Sequence, residues 1–191
     1  MSLPAPGVMA WRCSAPFWFF LSFLLAIACG GRSTLAQTLP FLTYSIEQGL
    51  SESVAYDLLE DRSGQLWVAT GFGLNRFDGF GFTTYYTADG LTENKIHSLF
   101  EDDRGRIWIG LDRGVNLMEA DSIRFVPHLA PLSGSRVSAI AQDRQGRHWF
   151  GTDGDGLWVM DESERSLRAY TSRDGLPDDH VQAVAVDASG R

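Results

Sequence analysis

Asp153-Gly154-Asp155-Gly156 sets two carboxylates one residue apart in a glycine-bounded loop. Hard cations use such spacings, since calcium gathers oxygen ligands at about 2.3–2.6 Å. Two carboxylates with no neighbouring Glu to complete the shell fall short of a cation site. His97, His128, His148 and His180 are scattered along the chain without the i, i+4 spacing by which a helix presents a zinc pair. Neither a metal nor another cofactor is expected. Gly71 to Arg76 (GFGLNR) contains glycines but no following helix on which a dinucleotide phosphate could rest. No nucleophile motif and no kinase signature occurs, so no catalytic residue is expected. What remains is the chemistry of non-covalent recognition. Glu52, Phe72, Asn94, Asp112, Arg113, Asp153, Asp155, Asp179 and His180 offer carboxylates, an amide, cations and a ring.

The elements that position these residues are repeats. Asp61 to Val68 (DRSGQLWV) returns as Asp102 to Ile109 (DDRGRIWI) and Asp143 to Phe150 (DRQGRHWF), and a fourth copy opens as Asp187-Ala-Ser-Gly190-Arg. Trp67, Trp108 and Trp149 stand 41 residues apart, as do Gly64, Gly105 and Gly146. A period near 41 with several short apolar runs per unit marks a propeller blade, whereas helical repeats of that length show a 3.6-residue periodicity. In the second unit, 96–101, 106–110, 114–118 and 122–126 read as four strands separated by turn residues. The expected fold is all-β, built of four-stranded antiparallel blades.

Each recurring residue has a structural task. The aspartates Asp61, Asp102 and Asp143 with the glycines three residues on suit a tight turn, because Asp bonds nearby backbone N–H groups and Gly accepts positive φ. The tryptophans should fill the wedge between neighbouring blades. A catalytic or binding residue has no reason to recur in every unit. The candidate recognition residues fall instead in the loops entering the first strand and joining the second to the third. These share one rim and vary between copies, as recognition loops on a constant scaffold do.

The first 36 residues differ in character from the rest. They contain no Asp or Glu, a basic Arg12, an apolar run from Ala15 to Cys29 and small residues at Thr34-Leu35-Ala36, the pattern of a signal peptide. That run is shorter than the roughly 20 residues that span a bilayer. Cys13 and Cys29 are the two cysteines of the chain, so no disulfide or thiolate chemistry is expected downstream. After residue 36 there are 14 basic and 24 acidic residues. That balance argues against nucleic acid, whose binding rests on clustered positive charge.

The combination of Gly49-Leu50, Glu60-Asp61-x-x-Gly64-x-Leu66-Trp67-Val68-Ala69-Thr70 and Gly73-Leu74-Asn75-Arg76-Phe77-Asp78 resembles the two-component regulator propeller repeat. The resemblance extends from Tyr44 to Arg191 and departs from the pattern where Trp158 replaces the Asn of Asn75 and Asn116. It implies an extracytoplasmic sensor region coupled to a membrane helix and a histidine kinase, with further blades in the full protein and a homodimer as a possible assembly. By the same analogy the ligand is a small molecule or an oligosaccharide, on which a rim aromatic such as Phe72 would stack. A secreted propeller enzyme is the alternative, because a catalytic carboxylate assembled by folding leaves no motif, and a protein-binding scaffold is another. The expected organisation is a signal peptide at 1–36, a ring-closing outer strand at 37–44, blades at 45–85, 86–126 and 127–170, and the start of a fourth blade at 171–191. Four to eight blades normally close a ring, so the expectation is an open arc that continues beyond Arg191.

Overall fold

The computed structural model describes residues 42–161, 163 and 166–187; the expected signal peptide and most of the ring-closing strand lie outside them. Twelve strands form three sheets. The first contains β1 (Ala55–Glu60), β2 (Leu66–Thr70), β3 (Gly73–Phe77) and β4 (Phe82–Tyr85). The second contains β5 (Ile96–Glu101), β6 (Ile107–Leu111), β7 (Val115–Glu119) and β8 (Ser122–Phe125). The third contains β9 (Val137–Gln142), β10 (His148–Thr152), β11 (Leu157–Asp161) and β12 (Ser166–Tyr170). Each is a meander in sequence order with antiparallel neighbours. The strands expected in the second unit are displaced by a single residue at most.

The hydrophobic core lies between the blades. Trp67, Ala69 and Leu74 of the first pack against Leu91, Ile96, Leu99, Ile107 and Ile109 of the second. Trp108, Val115 and Leu117 of the second pack in the same way against Leu132, Val137, Ile140 and Phe150 of the third. A twisted sheet with two apolar faces must cover both, and face-to-face stacking does so for the middle blade. Gly110 permits the close approach, since a Cβ there would stand 2.8 Å from the Val137 carbonyl oxygen of the next blade. On the uncovered face of the first blade Val54, Tyr56 and Leu58 are 52%, 47% and 59% exposed.

The Asp-to-Trp unit explains why the repeat is written as it is. Asp61 Oδ1 accepts the backbone N–H groups of Ser63 and Gln65, while Oδ2 accepts the Trp67 indole N–H at 2.7 Å. The second and third copies repeat the indole bond, Trp108 to Asp102 and Trp149 to Asp143, each at 2.9 Å. Gly64, Gly105 and Gly146 close these turns with φ of 81°, 75° and 79°, where a side chain would be strained. In the second and third copies an arginine four residues after the aspartate joins its carboxylate, Arg106 and Arg147 at 2.7 Å. Its guanidinium also lies over the tryptophan ring.

The blade entries share a second device. Ser45, Tyr86 and Thr171 precede short 3-10 turns whose C-caps, Gly49, Gly90 and Gly175, are left-handed. The third entry departs from this: Pro127–Leu132 is a six-residue 3-10 helix ending on Ser133 in a right-handed conformation. Proline fixes φ near −65°, and Pro127 and Pro131 prolong the turn where Gly-Leu is absent. Leu42 to Tyr44 are in no strand; the Tyr44 ring packs on Phe77 and Phe82 at 4.8 and 5.7 Å. Residues 181–187, expected as the first strand of a fourth blade, are likewise in no strand. They are anchored by the Val181 N–H on the Thr152 carbonyl at 2.8 Å and a bridge between Asp153 and His180. No described strand stands beyond them to complete a ladder.

Asp61, Asp102 and Asp143 titrate below the ordinary carboxylate value of 3.8. Burial opposes their ionisation, and the hydrogen bonds from indole, backbone and side-chain donors outweigh it. A carboxyl lowered on folding stabilises the fold above about pH 3.8, and the contribution fades as pH falls through the folded value. Urea unfolding midpoints should therefore drop on acidification below about pH 4. Asp102, whose carboxylate is fully buried, should cost roughly 3–5 kcal/mol as Asp102→Asn, the usual consequence of breaking a buried ion pair. The partly exposed Asp61 should cost about 1–2 kcal/mol as Asp61→Asn.

Candidate functional site

The blade-entry loops and the β2–β3, β6–β7 and β10–β11 connections meet on one rim, and backbone bonds stitch them together. Gly73 N–H donates to the Asn94 carbonyl, Gly114 N–H to that of Ser135 and Gly156 N–H to that of Asp179, at 2.8–2.9 Å. Each bond joins one blade to the loop that enters the next. Within a blade the same loop is held by a buried Asn. Asn75 Oδ1 accepts Ser51 N–H at 3.0 Å, and Asn116 Oδ1 accepts Thr92 N–H at 2.9 Å. Trp158 takes this place in the third blade, and its indole N–H donates to the Asp155 carbonyl at 3.0 Å.

Most of the recognition residues expected from sequence are occupied in this stitching. Glu52 accepts the Gly71 N–H at 2.7 Å. Asn94 and Asp179 cap the 3-10 turns by accepting the N–H groups of Thr87 and Ser172. Asp155 accepts the Ser135 hydroxyl at 2.6 Å. Asp153 turns away from it to pair with Arg136 at 2.7 Å and His180 at 3.7 Å. Their carboxylates thus diverge, and among the described residues no three His, Cys, Asp or Glu side chains converge as a metal would require.

Asp112 is the centre of a charged cluster, with His97 at 2.9 Å, Arg136 at 3.1 Å and Lys95 at 3.5 Å. Burial opposes its ionisation, and the bonds from His97 and Arg136 hold its carboxyl below the usual range. Arg136 bridges Asp112 and Asp153, so an ionic clasp crosses from the second blade into the third. His180 extends it by meeting Asp153 from the following segment. The equivalent carboxylate is missing from the first blade, where Gly71 stands.

Two of the nine expected residues remain uncommitted. Phe72 is 62% exposed, and Arg113 has no ion pair or hydrogen bond from its side chain among the described residues. Arg113 opens onto a rim pocket of about 270 Å³ with Thr92, Glu93, Phe125 and Ser133. Glu93 was not singled out by sequence. Its Oε2 is buried with no hydrogen-bond partner among the described residues, and the 41-residue register explains why. Glu93 is the counterpart of Glu52, whose carboxylate takes the Gly71 N–H. In the second blade the corresponding N–H, that of Asp112, donates instead to the Lys95 carbonyl at 3.1 Å. A larger cleft of about 430 Å³ lies on the turn side, over Leu117, Val126 and Met160. Arg124 there is already paired with Glu119 at 2.9 Å.

Consecutive four-stranded sheets with tryptophan-filled wedges and a loop rim define a run of β-propeller blades. The repeat itself is that of the two-component regulator propeller: the family model of that description matches residues 49–72, 90–113 and 131–154, and the chain carries three copies of it. Among solved structures, the extracellular domain of BT4673 from B. thetaiotaomicron, a proposed one-component system, is 21% identical with a TM-score of 0.68, over 81% of this chain and 22% of that one. The extracellular domain of BT3049 from the same organism, a proposed hybrid two-component system, is 18% identical with a TM-score of 0.66, over 78% of this chain and 22% of that one. PorZ, a surface component of the type-IX secretion system of Porphyromonas gingivalis, is 16% identical with a TM-score of 0.56, over 71% of this chain and 23% of that one. The likeness is one of fold, and the chain spans about a fifth of each solved chain. No curated protein matches. No helix among the described residues is long and apolar enough to cross a membrane.

His180 titrates above its ordinary 6.5 because Asp178 accepts a hydrogen bond from its ring at 2.8 Å and attracts its charge, with Asp153 and Asp179 adding to the attraction. A base raised on folding contributes fully below its unfolded value and loses that contribution as pH rises through the folded one. An NMR titration should place the His180 midpoint above 6.5, and Asp178→Asn should bring it down. Amide exchange of residues 178–183 should quicken once pH passes the midpoint.

Proposed function

We propose that the chain is the signal-receiving propeller of an exported two-component receptor, binding a small molecule or oligosaccharide outside the cytoplasm on its loop rim. The observation that carries this reading is the pocket between the loops entering the second and third blades. Around it the rim side chains are fixed by their own fold, while Glu93, with a buried carboxylate oxygen that no described residue satisfies, shares a cavity with the exposed Arg113 and Ser133. A buried polar group left without a partner costs about 1–3 kcal/mol, so its persistence beside a cavity favours a ligand as the missing partner. The repeat family and the leader-like first 36 residues support export and signalling. The remaining blades, a membrane-coupled kinase and a receptor homodimer complete the picture.

For a ligand to signal, it must bind one receptor state more tightly than another, since equal affinity for both shifts no population. The loops around the pocket are suited to that role because each bonds to two consecutive blades. The test is the intact receptor in its own cell, with the transcript it controls as readout and fractionation to locate it. Arg113→Gln should raise the signal concentration for half-maximal output by about ten-fold or more, as loss of a hydrogen bond to a charged group does, with basal output unchanged. Asn94→Ala should lower the amount of folded receptor instead. Cytoplasmic location, or a response indifferent to Arg113→Gln, would sink the reading.

A further inference from the structure

We propose that the rim pocket of the second blade binds a small zwitterion, a molecule carrying a carboxylate and an ammonium group a few bonds apart, of which a free α-amino acid is the simplest kind. The inference rests on the reading that this rim receives a ligand, and it names the chemistry of that ligand.

The pocket holds one charge of each sign. Glu93 and Arg113 both line it, yet they do not pair with each other, and neither side chain pairs with any other described residue. Opposite charges that share a cavity without meeting leave both to be neutralised by whatever enters. An anion alone would satisfy Arg113 and be repelled by Glu93, and a cation alone would do the reverse. A neutral polyol would supply hydrogen bonds but leave the charge of the partly buried Glu93 carboxylate without a counter-charge, which is costly away from water. A ligand with both signs meets each charge with a charge-assisted bond, the stronger kind of hydrogen bond.

The other three lining residues fit the same chemistry. Thr92 Oγ1 donates to Asn116 Oδ1 at 3.1 Å, which spends its proton and leaves its lone pairs to accept from an ammonium. The Ser133 hydroxyl has no bond among the described residues and can donate to a carboxylate. Phe125, 39% exposed, gives an apolar wall for a short side chain. The volume of about 270 Å³ lies just under the roughly 300–1,000 Å³ of pockets for drug-sized ligands, which points to a molecule of few heavy atoms.

The arrangement belongs to the second blade alone among the three. In the first, the counterparts of Glu93, Arg113 and Phe125 are Glu52, Phe72 and Thr84; the acid is tied to the Gly71 N–H and the cation is replaced by a ring. In the third, Gly134 and Gly154 stand where the acid and the cation would be. A scaffold requirement would recur with the 41-residue period, as the Asp-to-Trp bond does. This pair does not.

Isothermal titration calorimetry on the whole protein tests the inference with glycine, L-alanine and L-glutamine as probes. Acetate serves as the carboxylate alone, methylammonium as the ammonium alone and glucose as the neutral polyol. At least one amino acid should bind with one-to-one stoichiometry and about ten-fold or more tighter than acetate, methylammonium or glucose, and Arg113→Gln and Glu93→Gln should each weaken it by a similar factor. Arg113 is exposed and without a partner among the described residues, so Arg113→Gln should keep the parent melting temperature, and weakened binding there cannot be read as unfolding. The inference falls if no amino acid binds, if a single-charge probe or glucose binds as tightly, or if Arg113→Gln leaves amino-acid affinity unchanged. Glucose binding that Arg113→Gln abolishes would overturn the zwitterion while keeping a ligand-receiving rim. Tight amino-acid binding with an unresponsive receptor would do the opposite.

Discussion

An indole N–H held by the aspartate six residues before it is the contact on which this architecture turns. The bond spans the tight turn between the first two strands of a blade, fixing where the tryptophan ring lies. That ring fills the wedge against the next blade, so a local hydrogen bond sets a long-range packing distance. At Trp67 and Trp108 the wedge is closed and the ring is buried. At Trp149 the same bond is made at 2.9 Å, but the ring is only part-buried, beside a cavity lined by Leu157, Val184 and Val186. The geometry of the turn therefore does not depend on the wedge being filled, and each blade can prepare its own face for a neighbour.

The polar stitching on the two rims differs in kind. On the turn rim, Arg62 of the first blade reaches the carbonyls of Asp102 and Asp103 at 2.8 and 2.7 Å. Gln142 reaches back from the third blade to Asp103 at 2.9–3.0 Å. These contacts run through the turns that the aspartates shape, and they are constrained accordingly. On the loop rim the constant part is backbone, the carbonyl of the entering loop bonded to a glycine N–H of the preceding blade. The side chains there add bonds that differ from copy to copy, such as the Arg136 clasp found between the second and third blades. Such a division keeps a constant backbone joint on the loop rim while its side chains vary.

The blades were legible in the sequence because their determinants are short-range. The turn aspartate, the glycine and the tryptophan sit within seven residues, and the second-unit strands followed from the apolar runs to within a residue. The Pro127–Leu132 helix was not read from the sequence, although Pro131 stands where the other entries have glycine. The rim was less readable. Residue type marked Glu52, Asn94, Asp112, Asp153, Asp155, Asp179 and His180 as available, but their partners are backbone N–H groups and side chains 2 to 27 residues away, and no spacing rule announces those bonds. Glu93 was passed over for the complementary reason. Its lack of a donor follows from which carbonyl the Asp112 N–H chooses, a detail that exists only once the β5–β6 edge is built.

The missing carboxylate at Gly71 has a consequence for how the junctions respond to their medium. Where the second blade meets the third, Arg136 links two aspartates across a half-exposed surface. Such pairs weaken as dissolved ions screen them, with a Debye length near 8 Å at about 0.15 M salt. The first junction has no such clasp on this rim; a Cβ at position 71 would stand 2.6 Å from the Glu52 carboxylate, so the place is already filled. It relies there on uncharged backbone bonds, which ionic strength scarcely touches. On the loop rim, then, brine would loosen the second joint more than the first, whose own ion pairs, Arg62 with Glu101 and Arg76 with Asp121, sit on the turn rim.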